Sequence, residues 1–145
     1  MRVDCYWKLF LDVFKEYYHL ASVHRTTIND VYITPEPGDM VSGAYASQFG
    51  STQGTGNQLQ GVNLAALPMM PGLIDPEASG VRYTWLFPNM AFAACVDALW
   101  IYEAYPIGPD RCLVFQTTCF PPQALSNPAH GAAISSLFQS APARP

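Results

Sequence analysis

The chain has 145 residues, half of them hydrophobic and only 12% charged, with a formal net charge of −4 and a pI near 5.1. That size supports one domain with a real core, and this much apolar sequence argues against disorder. The seven Lys and Arg residues are scattered, which leaves no basic surface for nucleic acid and no polybasic membrane anchor.

At the N-terminus, "MRVDCYWKLF" carries an acidic residue and no small-residue cleavage site, so it does not read as a signal peptide. Residues 7 to 27 place Leu9, Phe10, Val13, Phe14, Tyr17 and Leu20 at helical spacing, with Asp12 and Glu16 on the polar side. Asn29-Asp30 supply the stop. "VYITPEPGDM" is a short extended piece broken by Pro35, Pro37 and Gly38, and "VSGAYASQFG" alternates with the period of a strand. The stretch from Gly50 to Gly80 is rich in Gly, Pro, Gln and Ser, which predicts a long excursion with one short helical turn around Leu64–Leu67.

From Val81 the sequence is dense in β-branched and aromatic residues, punctuated at Pro88-Asn89 and at "PIGPD". It predicts an antiparallel meander of three strands near 82–87, 91–103 and 111–119, the second with a candidate break around Asp97. The last 24 residues are Ala-, Ser- and Pro-rich with Arg144 as the one charged side chain, and a frayed tail is expected. No apolar run reaches the roughly 18 residues of a membrane span. The four cysteines (Cys5, Cys95, Cys112, Cys119) show no C-x-x-C pairing, and the expectation is buried free thiols in a cytoplasmic protein.

Two of the three histidines, His19 and His24, lie five positions apart in the N-terminal segment, with Glu16 three positions before the first. On an ideal helix five positions rotate the side chain by roughly 140°, so a straight helix cannot aim both rings at one metal ion. A wider π-like turn, or an end to the helix after Val23, brings them together. Read by itself, the pair also fits one histidine at a helix end and one on the surface.

The stretch from Tyr6 to Thr27 resembles the catalytic-domain signature of Rieske-type non-haem iron oxygenases, the α subunits of aromatic-ring hydroxylating dioxygenases and related monooxygenases. In that family an N-W-K element precedes E-N-(F/Y)-x-(E/D)-x-Y-H-x4-H. Trp7-Lys8 match the first element, and Asp12, Phe14, Glu16, Tyr18, His19 and His24 match the second. "LFPNMAFAACVDALWIYEAYPIGPDRCLVF" resembles the family's strand pair, with "FPN" opening one strand and "P-x-GPD" turning into the next.

The resemblance implies an α+β helix-grip (START/Bet v 1-like) fold, an antiparallel sheet wrapped around a long helix, truncated at its C-terminus. The implied organisation is a partial catalytic domain over residues 1–120 and a weakly structured tail over 121–145. His19 and His24 would be two ligands of a mononuclear Fe(II), in a 2-His-1-carboxylate site with positions left open for O2 and substrate. Glu16 would be the bridging carboxylate that bonds a ligand histidine and links the iron to a Rieske [2Fe–2S] cluster of a neighbouring subunit. Tyr18 would belong to pocket wall or core, and Met69 and Met70 would line or cover a cavity for an apolar substrate.

Three departures from the family stand in the sequence. Tyr6 and Val13 replace asparagines, and Val13 thereby removes a polar side chain near the iron. Neither C-x-H nor C-x-x-H occurs, so the ligands of a [2Fe–2S] cluster are absent. Beyond Asp110 there is no Asp or Glu to act as the third iron ligand, and Asp97 and Asp110 are the nearby candidates. The expectation is therefore part of an oxygenase catalytic domain, acting in the family on a small apolar, aromatic or quaternary-amine substrate with O2. Its implied partners are a reductase or ferredoxin and further copies in a trimer, and the chain alone would be inactive. The alternatives are a non-catalytic helix-grip carrier of small ligands and a gene remnant.

Overall fold

A computed structural model describes residues 1–25, 29, 32–35, 38–39, 43–52 and 64–139. Asp30 of the expected stop signal, Val41 and Ser42 of the expected strand, and much of the Gly/Gln-rich excursion lie outside the described residues.

Among the described residues the strands are Arg2–Val3 (β1), Tyr32–Pro35 (β2), Tyr45–Thr52 (β3), Gly80–Leu86 (β4), Met90–Ala94 (β5), Leu99–Gly108 (β6) and Arg111–Cys119 (β7). They form one antiparallel sheet in the order β1-β7-β6-β5-β4-β3-β2. The expected strand 91–103 is two strands. Its chain reverses at Cys95–Ala98, where the Cys95 N–H donates to the Ala98 carbonyl at 2.9 Å and Asp97 is buried. "FPN" does not open a strand; it makes the β4–β5 turn, while Pro109-Asp110 make the β6–β7 turn.

Alternation along β6 and β7 puts Trp100, Tyr102, Ala104, Cys112, Val114 and Gln116 on one inner face. The N-terminal helix Trp7–Asp12 (α1) lies against that face. Its Leu11, 1% exposed, fills the space over Ala91, Ala104, Cys112 and Val114, with Phe10 and Phe14 packed around it. Ala91 and Ala104 keep the sheet surface low where the helix presses down, so a leucine fits between them. The N-terminus is held as well. The Met1 ammonium donates to the Val114 carbonyl at 2.6 Å, and the Val114 N–H donates back to the Met1 carbonyl at 2.8 Å.

The single helix expected over 7–27 is broken. After α1 comes a 3₁₀ turn, Val13–Lys15, then Glu16 in extended backbone (φ −147°, ψ 164°), then a one-turn helix, Leu20–Val23 (α2). Val13, Phe14, Tyr17 and Tyr18 are weak helix formers. Phe14 is fixed to the sheet against Tyr102 (5.1 Å between rings) and through its carbonyl, which accepts from Gln48 Nε2 at 3.1 Å. The architecture is α+β with a sheet gripping a helix, but the gripped helix is short.

The tail was expected to fray from residue 121, but its described part, up to residue 139, is helical. Helices Pro122–Ser126 (α3) and Gly131–Gln139 (α4) are joined by a 3₁₀ turn at Pro128–His130, which is capped by Asn127 Oδ1 accepting from the Ala129 N–H. Ala124, Ala133 and Leu137 are buried with Leu67 against Trp100 and Phe120. The packing surface is largely alanine, so little apolar periodicity shows in the sequence. Leu64–Leu67 form no helical turn; a 3₁₀ turn stands instead at Glu77–Ser79. All four cysteines are free thiols, but only Cys112 is buried, while Cys119 is exposed. No helix among the described residues is long and apolar enough to cross a membrane.

Candidate metal centre

The break at Glu16 sets the geometry of the histidine segment. Extended backbone at Glu16 swings the chain off the α1 axis, and α2 restarts with His19 and His24 at its two ends. The α2 backbone closes through Val23 N–H to His19 O at 2.7 Å and His24 N–H to Leu20 O at 3.1 Å. The Asn29 N–H then donates to the His24 carbonyl at 3.1 Å, and Arg25 Nε donates to Ala21 O at 3.3 Å. The helix thus ends after Val23, one of the two solutions that the five-residue spacing allows. The two imidazole rings stand 5.4 Å apart, edge to face at 74°.

Glu16 holds His19 twice. Its Oε1 lies 2.5 Å from His19 Nδ1, and its Oε2 accepts from the His19 backbone N–H at 3.2 Å. An ionised carboxylate only accepts, so Nδ1 carries the proton and the lone pair of the neutral ring is on Nε2. That is the tautomer a metal-ligating histidine needs, with the carboxylate fixing the ring orientation. Burial, and then the neighbouring His19 ring, hold His24 below the ordinary histidine range, which also favours a neutral, ligating imidazole.

The donor set fits two positions of a mononuclear site, since rings at this separation can both reach one ion at a metal–nitrogen distance of about 2.1 Å. No described residue supplies the third position. Among the described residues no three His, Cys, Asp or Glu side chains converge. Asp97 is buried in the β5–β6 turn, and Asp110 is exposed at the β6–β7 turn beside Arg111 at 3.2 Å. Asp12 pairs with Lys15 at 2.6 Å.

Several expected neighbours lie elsewhere. Tyr18 is 90% exposed, neither pocket wall nor core, because the turn after Glu16 points it outward. Val13 is partly exposed at the start of the 3₁₀ turn. Met69 is exposed, and the Met70 N–H is tied to the Val96 carbonyl at 2.7 Å beside the β5–β6 turn. Trp7 packs into the core under α1, with the Lys8 ammonium 5.4 Å from its ring centre. Sequence reasoning overlooked the two inner-face donors, Trp100 and Gln116, whose buried side-chain nitrogens have no hydrogen-bond partner among the described residues. Their same-face positions in a strand pair were the available signal.

Comparison with family models matches residues 1–142 to the ring hydroxylating alpha subunit, catalytic domain. The match extends past residue 120, across α3 and α4. Comparison with curated proteins finds no match.

Proposed function

The chain belongs to the ring-hydroxylating α-subunit family, over its catalytic domain, and from that premise we propose that His19 and His24 hold a mononuclear non-haem Fe(II). One observation carries the assignment: the Glu16 carboxylate grips His19 Nδ1 at 2.5 Å while the His24 ring stands 5.4 Å away. Family membership makes the chain part of an oxidoreductase. Bound Fe(II) would supply reductive activation of O2, for hydroxylating an aromatic ring or oxidising an alkyl or N-methyl group.

In this reading His19 and His24 bind through neutral rings, and Glu16 orients His19. Glu16 would also be the carboxylate that bridges toward a [2Fe–2S] cluster, which would supply electrons from a reductase or ferredoxin. That cluster would belong to a neighbouring subunit, as in a trimer. The inner face of the sheet and the aromatic side chains of the N-terminal segment exclude water from the substrate. We place the protein in the cytoplasm, where free thiols stay reduced. With two imidazoles and no converging carboxylate among the described residues, the chain by itself binds iron but does not turn over. The same shortfall favours a second reading, a helix-grip protein that binds a small ligand without catalysis.

The test is anaerobic Fe(II) titration of the chain beside a His19→Ala, His24→Ala double variant. One-to-one binding that disappears in the variant supports the assignment. Equal affinity for the two proteins refutes it and leaves the ligand-carrier reading.

A further inference from the structure

Trp100 and Gln116 sit on the same inner face of β6 and β7. Trp100 pairs with Thr118 and Tyr102 pairs with Gln116, so the two are diagonal neighbours two residues out of register. Trp100 Nε1 and Gln116 Nε2 are both buried, and neither meets an acceptor among the described residues. Two unmet donors on one face of a strand pair are rare in folded proteins, because each has lost its water without replacement.

Their surroundings are apolar and aromatic. The Trp100 ring lies 6.3 Å from that of Tyr102, which in turn meets Phe14 at 5.1 Å and Phe10 at 6.1 Å. On the other side Trp100 touches the cluster of Leu67, Ala124 and Leu137. The inner-face positions of β6 and β7, from Trp100 to Ala104 and from Cys112 to Thr118, carry no charged side chain. A quaternary amine would find no counter-charge there, and a carboxylate would lose its water without gaining a cation. An uncharged carbonyl oxygen, with two lone pairs, matches two N–H donors.

We propose that Trp100 and Gln116 are a two-donor anchor for the carbonyl oxygen of a flat, uncharged aromatic ligand bound between the sheet and the helices. The proposal names the substrate class for the oxygenase reading above and rests on it for the placing of substrate over the inner face. Under it the chain prefers an aryl ketone or aldehyde to the matching hydrocarbon. Trp100 and Gln116 position the ligand and take no part in bond-making.

The experiment is two-dimensional NMR of the full chain with ¹⁵N-labelled tryptophan, metal-free in chelator, titrated with acetophenone and separately with ethylbenzene. Those probes differ at the carbonyl alone. The Trp100 indole peak is identified by its loss in Trp100→Phe. Acetophenone is expected to move that peak downfield and saturably, and to bind on the order of a hundredfold more tightly than ethylbenzene, about tenfold for each of the two hydrogen bonds. Gln116→Leu should weaken acetophenone about tenfold, leaving it the Trp100 bond and an affinity still above that of ethylbenzene, and should leave ethylbenzene unchanged.

The proposal is overturned if the parent chain binds the two probes equally or shows no saturable shift, a comparison that needs no variant. A Trp100 peak already downfield and unmoved by acetophenone overturns it too, in favour of an internal water on the two donors. Benzoate or phenyltrimethylammonium binding more tightly than acetophenone overturns the choice of an uncharged carbonyl. No iron enters this experiment. A failed Fe(II) titration with a retained acetophenone shift therefore sinks the oxygenase reading alone, and the converse pair of results sinks the anchor alone.

Discussion

Two leucines on α1, two positions apart, give a sharp test of how the helix is held. Leu11 is 1% exposed in the core cluster and Leu9 is 59% exposed. Leu11→Ala removes three carbon groups, about 2.4 kcal/mol at roughly 0.8 kcal/mol per buried methylene. A cavity term adds to that, because the neighbours under Leu11 are Ala91 and Ala104, which have no rotamers with which to fill the space. The expected loss is about 3–4 kcal/mol, inside the range of about 2.7–5 kcal/mol seen for buried leucines. For a chain of this size that is a fall in Tm of roughly 10 °C. Leu9→Ala should change stability by no more than about 0.5 kcal/mol. Urea denaturation followed by tryptophan fluorescence and circular dichroism measures both. A Leu11→Ala cost under about 1 kcal/mol, with unchanged m-value, would refute the docking of α1 on β6 and β7.

Glu16→Gln keeps the shape of the side chain but removes its charge from His19 Nδ1, and Fe(II) affinity should fall by about 10–100-fold in anaerobic titration; an unchanged affinity would break the link between Glu16 and the metal. Among the thiols, exposed Cys119 should react first with a disulfide reagent at pH 8. Cys112, whose thiol is pushed up to about 11 by burial and then by the neighbouring Cys5 thiol, should react only on unfolding, as read by mass spectrometry of the labelled peptides. Arg82 donates to Glu77 Oε1 at 2.9 Å and, first among the causes, holds that carboxyl below its usual range. A lowered carboxyl contributes stability above the usual carboxylate range and loses it as the pH falls through its own value. Glu77→Gln should accordingly flatten the acid limb of the stability–pH curve, and an identical limb in both proteins would remove Glu77 from the account.

What was legible in the sequence followed from side-chain period. Along Arg111 to Cys119 each inner-face position is less exposed than its neighbours, and β7 has the expected limits. Between Phe92 and Glu103 nearly every residue is apolar, so alternation could not locate the reversal at Cys95–Ala98, though Asp97 marked its place. The helix break at Glu16 was hidden because Tyr17 and Leu20 preserve helical spacing across it. What decides the break is a carboxylate turning to the His19 N–H, together with the anchoring of Phe14 on the sheet. The C-terminal helices were hidden for a different reason: their contact surface is Ala124 and Ala133, and alanine carries little hydrophobic pattern. At the site, His19, His24 and Glu16 are brought together where the motif put them. The outward turn of Tyr18 and the absence of a converging carboxylate among the described residues depend on backbone paths that spacing does not encode.

The sheet order has a consequence for the order of manufacture. Strands β2 to β6 each pair with the next strand in the chain, so they assemble as they emerge from the ribosome. β1 and α1 are made first, yet their partners include Cys112 and Val114. At about 5–20 residues per second the ribosome needs on the order of 5–20 s to reach them. During that interval Trp7, Phe10, Leu11 and Phe14 have no completed surface to bury against, and the histidines beyond them have no fixed support. A nascent chain of this fold presents the apolar face of its first helix to chaperones early, and its histidine segment becomes rigid only after β7 is in place.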